Sequence, residues 1–183
     1  MKEILFVTSN SHKVTEANMI GQLFGVSFSQ VNLMYPEIRS DSVREVAQEG
    51  AKYAFEKLQR PIIVEDSGLY IESLNGFPGA YSGLVFKKIG FEGILKLMDG
   101  LDDRKAQFVS AVGYCDRDII EVFEGVVDGH ITLEPRGKSG FAYDPVFEPS
   151  GSKKTFAEDH KHKIEVSHRR KSIELLCHYL KSR

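Results

Sequence analysis

The sequence predicts an α/β fold, on three observations. Residues 4–7 and 61–64 are continuous apolar runs of the kind that strands buried on both faces require. Val43, Val46, Ala47, Ala51, Ala54, Phe55 and Leu58 recur at helical spacing, so an amphipathic helix lies before the second run. Strand and helix signals alternate through the first third of the chain, which is the pattern of an α/β layer.

Taken in order, the first run, Ile4-Leu5-Phe6-Val7, reads as a central strand and gives way at once to Thr8-Ser9-Asn10-Ser11-His12-Lys13. Val14, Ala17, Ile20, Leu23 and Phe24 then follow at helical spacing, so this polar stretch joins the carboxyl end of a strand to the amino end of a helix. Backbone N–H groups there attract anions, the hydroxyls and amide add donors, and Lys13 adds a charge that can reach a phosphate. The stretch also suits an ordinary capped turn, and it lacks the glycines of a Walker A loop. Residues 26–33 read as a second strand. After the polar connection Arg39-Ser40-Asp41-Ser42, Ser42 and Glu45 form a capping box for the helix already described.

That helix returns the chain to Pro61-Ile62-Ile63-Val64, which runs straight into Glu65-Asp66-Ser67-Gly68. Successive strand side chains point to opposite faces, so Glu65 and Asp66 diverge and only one can face a cleft. Ligand sites in α/β sheets lie outside the carboxyl ends of strands, and Gly68 permits a close backbone approach. The same residues would equally serve as a strand end carrying two solvated acids. Residues 75–80 are rich in turn formers, and Phe91, Ile94, Leu95, Leu97 and Met98 predict a helix ending near Gly100. Residues 106–115 and 119–127 are strand-like runs joined by Asp116-Arg117-Asp118, a hairpin or meander. A parallel-looking first half followed by antiparallel strands gives either one sheet extended by long strands or an attached lobe. No linker or repeat divides residues 1–183, which read as a single domain. In residues 137–147, Phe141, Ala142, Tyr143 and Asp144 put two rings and an acid in a glycine-rich loop, where aromatics either stack on a base or pack into a minor core. His160-Lys161-His162 reads as a solvated loop. The last helix starts around Ser167, which leaves His168 and Arg169 in a first turn whose dipole disfavours cations.

Composition narrows the function. A 183-residue chain that is 42% hydrophobic can bury a sizeable core, and a formal net charge of −2 excludes a general binder of nucleic acid polymers. Charge is uneven: residues 152–171 hold seven basic against three acidic residues. A basic segment together with an acidic strand end suits a compact, metal-bound polyanion. Cys115 and Cys177 have no CxxC spacing and read as buried thiols. The apolar run near the N-terminus is too short for a signal peptide and none approaches the ~20 residues of a membrane span, so a cytoplasmic protein with no membrane partner is expected.

Six segments, in order, resemble those of the inosine triphosphate pyrophosphatase family: Thr8-Ser9-Asn10 with Lys13; Pro36-Glu37; residues 64–69; Phe77-Pro78-Gly79; residues 140–145; and Lys163 with Ser167-His168-Arg169. The resemblance implies an elongated mixed sheet with flanking helices and a central nucleotide-binding cleft, usually in a homodimer. It also implies Mg²⁺-dependent hydrolysis of non-canonical purine nucleoside triphosphates (ITP, dITP, XTP) to monophosphate and pyrophosphate. By the same resemblance Glu37 and Asp66 hold the metal, and Asp66 orients or deprotonates the attacking water with Glu65 in support. Thr8, Ser9, Asn10, Ser11, His12 and Lys13 hold the phosphates, and Ser67 binds substrate. Phe141 stacks on the base and donors around Lys163, Ser167, His168 and Arg169 read it, with Arg169 donating to the 6-keto group, and Ala142, Tyr143 and Asp144 also bind substrate. Ala142 departs from the pattern, since the family commonly has glycine there. A related pyrophosphatase for pyrimidine or modified nucleotides, and a nucleotide sensor without turnover, are the alternatives.

Overall fold

The structure is a computed structural model and describes residues 2–183. It contains a mixed sheet with the strand order β2-β1-β3-β5-β6-β7, in which β4 pairs with β3. The strands are β1 (Lys2–Val7), β2 (Val26–Val31), β3 (Ile62–Ile71), β4 (Pro78–Gly79), β5 (Lys105–Cys115), β6 (Ile120–Ile131) and β7 (Phe147–Pro149). The helices are α1 (Ser11–Gly21), α2 (Val43–Leu58), α3 (Ser82–Leu97), α4 (His160–Val166) and α5 (His168–Lys181). β1 pairs in parallel with β2 and β3, whereas β3/β4 and β6/β7 are antiparallel. The alternating first third and the antiparallel second half are therefore both present.

Contacts group the chain into two compact units. The first holds Met1–Asp66, Ser110–Gly125 and His168–Arg183; the second holds Ser67–Val109 and Val126–Ser167. In the first unit, Ile4 and Phe6 of β1 pack with Ile63, Val112, Ile173 and Leu176, while Leu5 and Val7 pack with Ala51, Ala54, Ile62 and Val64. Both faces of the strand are thus covered, which is why its sequence is apolar without alternation. Each such side chain contributes roughly 1.5–3 kcal/mol of burial. Both cysteines are buried, and burial pushes the Cys177 thiol up to about 11. The second unit has its own core of Leu69, Ile71, Ile94, Met98 and Val146, with Phe108, Phe147 and Phe156 in mutual ring contact.

Three local expectations change. The helix predicted from Phe91 begins at Ser82 and is interrupted at Gly90, whose φ of 64° breaks the helical path and hides the period. The capping box is half-formed: Ser42 accepts from the Glu45 N–H at 3.3 Å, but the Glu45 carboxylate takes the Ser40 hydroxyl at 2.7 Å and so does not return to Ser42. His160-Lys161-His162 is not a loop but the start of α4, capped by Asp159, whose carboxylate accepts from the His162 N–H at 3.1 Å.

Candidate active site

β3 does not stop at the acids, as the sequence suggested, but runs on to Ile71, so Glu65 and Asp66 lie in mid-strand, where the period of two separates their carboxylates. Glu65 is buried, its side chain fully so, and Asp66 is half-buried. Glu65 is the hub of the first unit's polar core. Lys13 Nζ donates to Glu65 Oε2 at 2.8 Å and to its backbone carbonyl at 2.9 Å. Arg169 Nη2 lies 3.2 and 3.4 Å from the two carboxylate oxygens, and the Ser110 hydroxyl donates to Oε1 at 2.8 Å. Burial alone would push this carboxyl up, but the charges of Arg169 and Lys13 outweigh it and hold the group well below the usual carboxylate range. Burial acts against the guanidinium charge of Arg169 as well, and the carboxylates of Glu65 and Glu16 more than reverse it.

Local sequence explains how these groups meet. Asn10 caps α1 by accepting from the His12 N–H at 3.0 Å, and Thr8 accepts from the Asn10 N–H at 3.1 Å. The donor loop is thereby folded into the first turn of α1, which aims Lys13 at β3. Gly125 in β6 lets the start of α5 approach closely, since a Cβ there would stand 2.1 Å from the His168 carbonyl oxygen. Arg169, on that first turn, is 1% exposed and also donates to Glu16 at 2.5 Å. The two carboxylates are what offset the cost of a cation at a helix N-terminus. The guanidinium expected to read a base is therefore held between Glu16 and Glu65, and His168 is buried beside it.

Glu37 is exposed on the irregular segment after β2. Burial raises the Tyr35 phenol above its ordinary range, and the charges of Glu37, Asp66 and Glu65 raise it further. Three carboxylates thus act on one ring hydroxyl of the first unit. Among the described residues, no group of three or more His, Cys, Asp and Glu side chains is arranged to hold a metal ion alone. Glu37 and Asp66 offer hard oxygen donors, and such a sparse set fits an ion of the Mg²⁺ type, which keeps waters and takes further oxygens from phosphates.

In the second unit the glycine-rich loop is organised by Asp144, 3% exposed. Its Oδ2 accepts from the Phe141 N–H at 2.8 Å and from Lys163 Nζ at 2.8 Å. The Lys163 ammonium also stands 4.5 Å from the centre of the half-buried Phe141 ring. Tyr143 turns into the core, its ring against Phe86 and its hydroxyl donating to the Ser82 carbonyl at 3.1 Å. Ser67, on β3, is half-buried. Ala142 has a φ of 54°, a left-handed conformation that disfavours a Cβ. Ala142→Gly is expected to raise stability by up to about 1 kcal/mol, the relief of strain exceeding the added freedom of the unfolded chain. Urea unfolding checks this, and a loss of stability would mean that the methyl group packs usefully.

Reasoning from sequence did not find Glu16, Tyr35, Ser82, Ser110 or Ser172. Glu16 carried a usable signal, as an acid one turn after Lys13 on the predicted helix; the buried serines carried none.

A curated relative from Methanopyrus kandleri, named dITP/XTP pyrophosphatase, is 50% identical over 182 residues, 98% of this chain and 97% of the relative. Another of the same name from Thermococcus kodakarensis is 45% identical, covering 97% of each chain. Among solved structures, a HAM1 protein from Coxiella burnetii superposes with a TM-score of 0.86 at 29% identity over 100% of both chains, and the Staphylococcus aureus Ham1 protein with 0.84 at 29% over 99%. The sequence model of the Ham1 family matches residues 4–179, and the chain belongs to that family.

Proposed function

We propose that this protein hydrolyses ITP, dITP and XTP to the nucleoside monophosphate and pyrophosphate with Mg²⁺, removing non-canonical purines from the nucleotide pool. The observation that carries this reading is the half-identity, over nearly the full length, to a relative named dITP/XTP pyrophosphatase. The residues supply a consistent chemistry. Asp66 takes a proton from the attacking water, the new bond forms to the α-phosphorus, and the bond from that phosphorus to the bridging oxygen breaks to release pyrophosphate. Mg²⁺, when bound through Glu37 and Asp66, neutralises phosphate charge.

Two of the three Lys13 ammonium hydrogens go to Glu65, which leaves the third for a phosphate oxygen. Thr8, Ser9, Asn10, Ser11, His12 and Ser67 add phosphate donors. Phe141, whose ring meets Lys163, is the ring assigned to stack on a purine. Arg169, expected to donate to the 6-keto group, acts here as the counter-ion that keeps Glu65 ionised, and His168 and Lys163 stay among the residues proposed to read the base. Assembly as a homodimer in the cytoplasm belongs to the same reading, with the exposed Leu84 and Leu97 of α3 as apolar surface for a second copy.

A panel of ITP, dITP, XTP, ATP, GTP and dUTP with Mg²⁺ tests the proposal. The expected result is consumption of the first three well ahead of ATP, with monophosphate and pyrophosphate as products. Diphosphate and phosphate as products, or preference for dUTP, would overturn it. No helix among the described residues is long and apolar enough to cross a membrane.

A further inference from the structure

We propose that the paired hydroxyls of Ser110 and Ser172 are positioning residues that orient the Glu65 carboxylate and, through it, Lys13. The proposal rests on the reading of Lys13 as a phosphate contact given above. Ser110 lies on β5 and Ser172 on α5, each is fully buried, and their oxygens are 2.9 Å apart. A buried hydroxyl carries a desolvation cost that alanine would avoid, so a pair of them in the same interior calls for a polar task.

Counting hydrogens defines that task. The pair has two hydroxyl hydrogens and three acceptor positions in reach: Glu65 Oε1 at 2.8 Å, the Arg169 carbonyl at 3.1 Å, and the other serine. An ionised carboxylate can only accept, so the Ser110 hydrogen is committed to Oε1. Ser172 then donates, either to the Ser110 oxygen or to the Arg169 carbonyl. On either choice Ser110 donates to the carboxylate and not to Ser172.

The distances also separate orientation from charge. Arg169 straddles the two oxygens at 3.2 and 3.4 Å and barely distinguishes them. Ser110 bonds only Oε1 and Lys13 only Oε2. Ser110 thus fixes which oxygen is presented to Lys13. Without it the carboxylate can pivot toward Arg169, and the ammonium is held by the Glu65 backbone carbonyl alone.

Ser110→Ala is expected to lower kcat for ITP about tenfold, the worth of one hydrogen bond to a charged group, with KM changed less than twofold. The effect falls on kcat because Lys13 meets charge that grows on the departing pyrophosphate. Ser110→Thr keeps the hydroxyl and restores most of the rate. Ser172→Ala alone has a smaller effect and adds nothing on top of Ser110→Ala, whereas loss of packing would be additive and would follow the melting temperature. The ammonium NMR signal of Lys13, read without nucleotide, moves in Ser110→Ala and returns in Ser110→Thr. Unchanged kcat and an unmoved Lys13 signal in folded Ser110→Ala overturn the proposal, as does a loss of rate that Ser110→Thr fails to restore while remaining folded. A wild type that hydrolyses none of the triphosphates overturns the proposed activity instead, and the Lys13 signal then decides the positioning on its own.

Discussion

Asp66→Asn is expected to lower kcat by about 10²- to 10⁴-fold, the range for loss of a general base, while nucleotide binding persists. The amide is isosteric and the residue is half-buried, so the backbone that carries Glu65 should be undisturbed. Binding should survive because Lys13 and the donors of the β1–α1 loop do not depend on the Asp66 charge. Single-turnover kinetics with ITP, set beside a nucleotide titration monitored by calorimetry, separates the two quantities. Turnover within threefold of wild type would remove Asp66 from the chemistry, and weakened binding in proportion to lost rate would make it a binding group.

The largest expected effect on stability belongs to its neighbour. Glu65→Ala removes the counter-charge from a lysine and a 1%-exposed arginine at once, and breaking a buried pair by deleting one partner costs about 3–5 kcal/mol. Against a total stability of roughly 5–15 kcal/mol, this is a large fraction. Because the Glu65 carboxyl lies well below the usual range in the folded protein, the unfolded chain binds the proton more readily. The contribution is therefore fully present above the ordinary carboxylate pKa of about 4.3 and is lost as pH falls toward the depressed folded value. Urea unfolding at pH 7 and in the acid range should show the gap between variant and wild type narrowing as the solution becomes more acidic. A gap below about 1 kcal/mol at pH 7 would mean that Lys13 and Arg169 find other partners.

How much of this was legible from sequence depended on how local each feature is. The strand and helix order of the first third follows from periodicity, and the divergence of Glu65 and Asp66 follows from strand geometry alone. Local capping by Ser42 was readable for the same reason. The partners of Glu65 were not, because Ser110 and Arg169 lie 45 and 104 residues away in sequence. Arg169 shows the difference clearly. Its awkward place at a helix start marked it as functional, yet nothing local could indicate that Glu16 and Glu65 would close around it. Nor could composition tell that Tyr143 packs inward while Phe141, two residues earlier, keeps a ring half-exposed. The Gly90 interruption in α3 was hidden because glycine is tolerated in a helix and gives no sign of which conformation it takes.

The division of the first unit among three separated stretches of chain has a consequence for synthesis. Glu65 leaves the ribosome 104 residues before Arg169. At roughly 5–20 residues per second, β3 waits about 5–20 s without the guanidinium that balances its carboxylate. Through that interval Glu65 must stay hydrated, and the interior in which it is finally buried can close only around the last helix to be made.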